Sequence, residues 1–285
     1  MPLTYLDQNA LIKMGFRAQR TEVREKLDPA IKSGALTIVV SPWHLIETAN
    51  TSNLENALKL AAFIDSLNPA WLLDRHDIRK LEVAEDLFRF AKMGCSSVPR
   101  VTSRSAVFAA LNGQHDAAKF DIPAVKFVQQ WMEHPEQLEV LEKTYKDNEA
   151  ALLGLRKLMK AGKLTDAIMM ATNRKLLEVS MPEATPAGLA FGRELSTEYL
   201  DQANIGSIPM LSLEHAISLN EWNVQGQAGA DRNTLIDKFH LISALHYVDE
   251  IVSDDGFFHE MYPVVQKTGH VRANLLRNEE FLKRF

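Results

Sequence analysis

Apolar positions along this chain fall into two regimes. Near both ends they form runs too short for a helix: Leu3-Thr4-Tyr5-Leu6, Leu36-Thr37-Ile38-Val39-Val40 and, across 249–253, Ile251-Val252. The second is β-branched, and such continuous apolar runs read as buried strands. After the first, Leu11, Met14, Ala18, Val23 and Leu27 recur among Arg and Lys and predict a helix over 10–32. After the second, Ser41-Pro42 is a helix start, with Ser as cap and Pro at the first helical position, so that Glu47 sits about one and a half turns in. From Leu54 the period is helical almost throughout, predicting helices over 54–67, 77–92, 103–112, 122–132, 135–160, 164–179, 186–203 and 211–221, punctuated by proline. Trp71-Leu72-Leu73 reads as a brief strand within that stretch. A glycine-containing loop over 225–230 precedes a helix over 233–247, then the 249–253 strand, a short helix over 256–261, a last strand at Val264-Val265 and a charged helical tail ending at Phe285.

Strand and helix alternate at both ends while the middle is nearly all helix. The simplest architecture is an α/β domain built from 1–55 and 222–285, its short parallel sheet supplied by both chain ends, with 56–221 as a large all-helical insertion or subdomain. The 285 residues, 46% hydrophobic and 24% charged, are ample for a sizeable core. A formal charge of -5 excludes coating of nucleic acid by bulk charge and leaves only a local basic groove. Cys95 is alone, no Cys/His set has zinc spacing, and no apolar stretch nears the ~18 residues that span a bilayer, so the expectation is a cytoplasmic protein without a membrane partner.

What changes this picture is where the acids fall. Asp7 ends the first strand, Glu47 lies in the helix after the second, Asp237 lies inside a late apolar helix, and Asp254-Asp255 ends the strand that follows it. In an open parallel sheet the carboxyl ends of the strands line the ligand crevice, so acids far apart in sequence converge there. Tyr5-Leu6-Asp7-Gln8-Asn9, Ser41-Pro42-Trp43-His44-Leu45-Ile46-Glu47, Asp237-Lys238-Phe239-His240-Leu241-Ile242-Ser243-Ala244-Leu245 and Ile251-Val252-Ser253-Asp254-Asp255-Gly256-Phe257-Phe258, taken in that order, resemble the four acidic motifs of the PIN domain, a family of metal-dependent nucleases. The resemblance covers about 1–55 and 228–268 and leaves the middle uncovered. It implies a three-layer α/β/α fold and a site of Asp7, Glu47, Asp237 and Asp255. Asp254 is an alternative to Asp255, since Phe257 follows Asp254 at the spacing at which Phe258 follows Asp255.

Hard oxygen donors without thiolate suit magnesium or manganese. The expected chemistry is phosphodiester hydrolysis by a metal-activated water, with the four acids as ligands or water-orienting groups and Asn9 and Ser253 bracing them. RNA is the substrate the resemblance implies, including the toxins of toxin–antitoxin pairs, with DNA as the alternative. Lys13, Arg17 and Arg20 lie along one helix face near Asp7 and are the first candidates for backbone phosphates. A second basic group, Arg156, Lys157, Lys160, Lys163, Arg174 and Lys175, also reads as an ordinary solvated face. Each acid has an ordinary role open to it: Asp7 as a helix cap, Glu47 as an exposed helix residue, Asp254-Asp255-Gly256 as a turn. His240, one turn from Asp237, reads most simply as a core histidine. Two other functions stay open. One is a non-catalytic PIN-like module that binds an inhibitor or partner protein on its insertion. The other is a metal-dependent phosphatase, against which Asp7-Gln8-Asn9 lacks the second acid of an Asp-x-Asp pair. Oligomeric state is open.

Overall fold

A computed structural model describes residues 2–16, 20–114, 116–137, 161, 171, 174–178, 180–181, 193–224 and 240–285. Asp237, Arg17, most of the second basic group and the expected 225–230 loop lie outside the described residues. The described chain is mixed α/β, with six strands in one sheet of order β4-β3-β2-β1-β5-β6. The strands are β1 (Leu3–Leu6), β2 (Thr37–Val40), β3 (Ala70–Leu72), β4 (Val101–Thr102), β5 (Glu250–Val252) and β6 (Asn274–Leu276). All neighbours pair in parallel except β3 with β4. β1 is central and buried from Thr4 to Leu6, as its apolar run requires.

The chain leaves β1 in one direction for β2 and β3 and returns on its other side as β5 and β6, so the strand order reverses at β1–β5. α1 (Gln8–Phe16) and α2 (Arg20–Lys32) follow β1, and α3 (Pro42–Ala49) and α4 (Leu54–Ser66) follow β2. α5 (Arg75–Phe90) follows β3, then α6 (Arg104–Leu111) and α7 (Ala124–Glu133) follow β4. α8 (Arg193–Gln202) and α9 (Pro209–Val224) come before a helical stretch at 240–245, while α10 (Gly256–Gln266) joins β5 to β6 and α11 (Asn278–Leu282) closes the chain. The main apolar core runs from Tyr5 and Trp43 through Phe63, Trp71, Phe108, Phe127 and Leu213 to Phe281, so residues of the middle segment share one core with both ends. No helix among the described residues is long and apolar enough to cross a membrane.

Four expectations change. The segment 56–221 is not all helical: β3 falls on the brief strand read at Trp71, and β4 is a further strand whose two residues are too few for a period to show. The sheet is therefore mixed rather than wholly parallel and is not built from the chain ends alone. The helix over 10–32 is two helices, α1 and α2. The last strand is Asn274–Leu276, not Val264-Val265. Asp255 caps α10 by accepting the Phe257 N–H (2.7 Å), and Phe258, Met261 and Val265 then fall on its buried face at helical spacing.

α1 crosses α4 at close range because of one glycine. A Cβ on Gly15 would lie 2.9 Å from Cδ1 of Phe63, a ring only 2% exposed. Gly15→Val is expected to lower stability by about 1–3 kcal/mol through overpacking, read from the midpoint of urea unfolding; unchanged stability would mean that α1 does not rest on α4 here.

Candidate functional site

Strand register builds the site. β1 pairs with β5 through Tyr5↔Ile251 and Leu6↔Val252, and the ladder continues with Asp7 N–H donating to the Val252 carbonyl (3.1 Å). β5 pairs with β6 through Val252↔Leu276, continued by Ser253 N–H to the Leu276 carbonyl (2.9 Å). Asp7 and Ser253-Asp254-Asp255 therefore emerge side by side at the carboxyl ends of adjacent strands, where strand order reverses. In open α/β sheets this is where ligands bind.

Asp7 is 3% exposed. One carboxylate oxygen accepts the Ala10 N–H (2.5 Å), which is the helix-cap role foreseen for it, and the other accepts the Ser253 hydroxyl. Burial pushes its carboxyl up to about 6; those two hydrogen bonds pull it down, and the negative charges of Asp255 and then Asp254 push it up again. Ser253 Oγ in turn accepts the Asp255 N–H (3.0 Å), and its carbonyl accepts from His259 Nε2 (2.9 Å).

The two acids after Ser253 have different surroundings. Asp254 accepts from Lys13 Nζ (2.5 Å) and from both the backbone N–H (3.1 Å) and side-chain amide (2.7 Å) of Asn278 at the start of α11. Partial burial pushes Asp254 up, but Lys13 and Asn278 outweigh it and hold the carboxyl below its usual range. Asp255 caps α10 and acts more strongly on Asp7 than Asp254 does. Lys13, expected to meet phosphate, is thus spent on Asp254. Arg20 is in α2, with a side chain outside the described set. Asn9 is exposed on α1 and makes no hydrogen bond to Asp7 among the described contacts.

Glu47 approaches from α3. Its carboxylate Oε2 lies 3.4 Å from Nε2 of His240, with the Glu47 side chain 33% exposed and that of His240 2%. Behind them stands a set of buried polar groups that pattern reading did not assign to the site. Tyr5 Oη touches His240 Nδ1 and lies 3.0 Å from Ser41 Oγ. The Ser41 N–H donates to His44 Nδ1 (2.9 Å), and His44 Nε2 meets the Leu6 carbonyl (2.7 Å). A carbonyl only accepts, so the His44 proton is on Nε2. Burial pushes both histidines down to about 3, with their mutual repulsion adding to this at His44, and the ring centroids are 4.5 Å apart. Burial also drives the Tyr5 hydroxyl well above its ordinary range. The clue in the sequence was His44, a polar residue inside the apolar run Trp43–Ile46; Tyr5 and Asn278 carried no such mark. A further strand-end acid, Asp74 after β3, is engaged elsewhere: it accepts from Trp43 Nε1 (2.9 Å) and caps α5 through His76 N–H (2.8 Å).

Among the described residues no group of three or more His, Cys, Asp or Glu side chains is arranged to hold a metal ion. No family model, curated protein or solved structure matches the chain.

Asp7 binds its proton more tightly folded than unfolded, so in chelator stability should fall as pH rises from about 4 to about 6, by up to about 3 kcal/mol. Asp7→Asn keeps the shape without the charge and should lose that fall, gaining on wild type across this window. Unfolding at pH 4, 6 and 8 checks this; parallel pH profiles for the two proteins would contradict it.

Proposed function

We propose that the chain is a divalent-metal-dependent nuclease of PIN type, with RNA as substrate. The observation that carries the reading is Asp7: a buried carboxylate raised to about 6, drawn by strand register beside Ser253 and Asp255 at the reversal point of the sheet. Nothing cationic among the described residues is bonded to it, since Lys13 is paired with Asp254. The donor chemistry suits a hard cation, because carboxylate oxygens without thiolate favour magnesium or manganese, and the charges of Asp255 and Asp254 oppose ionisation of Asp7 without one. In this reading Asp7 and Asp255 would hold the ion, with Glu47 and Asp237 completing the set. When bound, such an ion supplies the Lewis acidity for phosphodiester hydrolysis.

The residues of the chain then have separable tasks. Ser253 fixes the Asp7 carboxylate through its hydroxyl and at the same time anchors the backbone of Asp255. Lys13 and Asn278 hold Asp254 aside, which favours Asp255 as the ligand of the pair. Connections that leave β1 in opposite directions, right-handed as such crossovers almost always are, would put helices on both faces of the sheet, in keeping with a PIN-like three-layer arrangement. The choice of RNA over DNA rests on the motif resemblance.

A second reading, a non-catalytic PIN-like module, is favoured by the Lys13–Asp254 pair, which neutralises one acid of the cluster from within. One experiment separates the two. Labelled single-stranded and structured RNA and DNA are incubated with protein in magnesium, manganese or chelator. Metal-dependent cutting is expected from wild type, a loss of about 100-fold or more from Asp7→Asn and Asp255→Asn, as ligand losses at metal sites allow, and a smaller loss from Asp254→Asn. Full activity in Asp7→Asn, or no cutting of any substrate by wild type, would sink the nuclease reading.

A further inference from the structure

A polar cavity of about 380 Å³ is walled by α5, the segment entering β4, the turn before α9, the turn before β5 and the segment before β6. Small-molecule pockets run from roughly 300 to 1,000 Å³, and this one shares no lining residue with the Asp7 cluster. Three carboxylates line it, and each is already engaged. Glu85 accepts both Nη groups of Arg100 (2.8 Å each), whose side chain is 4% exposed. Asp86 accepts from Arg89 Nη1 (2.7 Å) and from the Tyr199 hydroxyl (3.0 Å). Glu82 accepts the Tyr247 hydroxyl and the Met210 N–H (2.7 Å). Burial pushes the Glu82 carboxyl up to about 7, against the pull of those two hydrogen bonds and of Arg100, so part of its charge is lost at neutral pH.

The cations are not all engaged. Arg272 is exposed, and its guanidinium makes no hydrogen bond or ion pair among the described contacts. Its backbone is nevertheless fixed, the N–H donating to the Leu245 carbonyl (3.0 Å) beside His246. Arg89 spends one nitrogen on Asp86 and keeps a side chain that is 71% exposed. With two acids paired to two arginines and Glu82 partly neutral, the lining carries surplus positive charge, and its complement is an anion.

His246 adds a second requirement. Its Nδ1 meets the His270 carbonyl (2.5 Å), and a carbonyl only accepts, so the ring proton is on Nδ1. Burial, with the charge of Arg272 adding to it, holds the imidazole below its ordinary range despite that hydrogen bond, which leaves the ring neutral. Nε2 then offers a bare lone pair with no partner among the described contacts. A lone pair repels an oxyanion and accepts from a hydroxyl, so the fitting anion carries a hydroxyl as well.

We propose that this cavity binds a small phosphate monoester bearing hydroxyl groups, of the sugar-phosphate kind: Arg272, with Arg89 from α5, takes the phosphate, and His246 Nε2 accepts from a hydroxyl. Two guanidinium groups suit a doubly charged phosphate better than a single carboxylate. The proposal is independent of the nuclease reading.

Calorimetric titration tests it. Ribose 5-phosphate, inorganic phosphate, ribose and gluconate are each titrated into the whole chain in chelator, with thermal melts run alongside. Wild type should bind ribose 5-phosphate about 10-fold or more tightly than the other three. Arg272→Gln, at an exposed position, should weaken that binding about 10-fold or more, the loss of a charge-assisted contact. His246→Phe should bring ribose 5-phosphate and inorganic phosphate within about threefold of each other, as loss of one neutral hydrogen bond implies. No binding of ribose 5-phosphate by wild type, or unchanged affinity in Arg272→Gln, overturns the proposal, and the second result stands even if His246→Phe fails to fold. Inorganic phosphate, ribose or gluconate binding as tightly as ribose 5-phosphate overturns it too, because the hydroxyl or the phosphate would then play no part in recognition.

Discussion

Pairing of β1 with β5 joins chain segments 246 positions apart, as the contacts Leu3–Asp249 and Asp7–Ser253 record, and the polar site follows from that pairing. Side-chain direction alternates along a strand, so slipping the register by one residue would send every side chain to the opposite face. Tyr5 would leave His240, and Asp7 would no longer meet the Ser253 hydroxyl. The register is secured from both ends: the Leu3 N–H donates to Asp249 (2.7 Å) and Thr4 Oγ1 to Glu250 (3.1 Å) at the start of the strands, with Asp7 and Ser253 at their close. Closing so long a loop adds little more entropy than closing a shorter one, because the penalty grows only logarithmically with length. A long middle segment is compatible with this pairing for that reason.

Around that pairing the carboxylates are placed under opposing influences. Burial raises the Asp7 carboxyl to about 6, while Lys13 and Asn278 lower that of Asp254. Neighbouring acids with carboxyls moved in opposite directions make the cluster electrostatically asymmetric. Stability and any function pull against each other at Asp7, since the buried charge disfavours the fold until something neutralises it. The helices bearing these groups are fixed by packing instead: the bare Gly15 lets α1 settle on Phe63, and the stacked Phe108–Phe127 pair (3.8 Å) with Trp71 edge-on to Phe108 (5.6 Å) builds the core beneath β3.

Periodicity and composition by themselves determined much of this protein. The apolar runs at Leu3, Leu36 and Ile251 marked three central strands because a parallel strand buried on both faces must be continuously apolar. Ser41-Pro42 marked the start of α3 because capping chemistry is local, and the position of Asp7 at a strand end could be read directly. Tertiary structure decided what depends on partners distant in sequence. β4 is two residues long and exists only because β3 is there to pair with it. Val264-Val265 has strand composition, but the Asp255 cap and the buried spacing of Phe258, Met261 and Val265 commit it to a helix, leaving Asn274–Leu276 to take the edge beside β5. The same holds within the site: nothing local in Lys13, Asn278 or Tyr5 foretold contacts with Asp254 or His240, because a hydrogen-bond partner is chosen by which atoms the folded backbone brings within about 3 Å, and no periodicity encodes that.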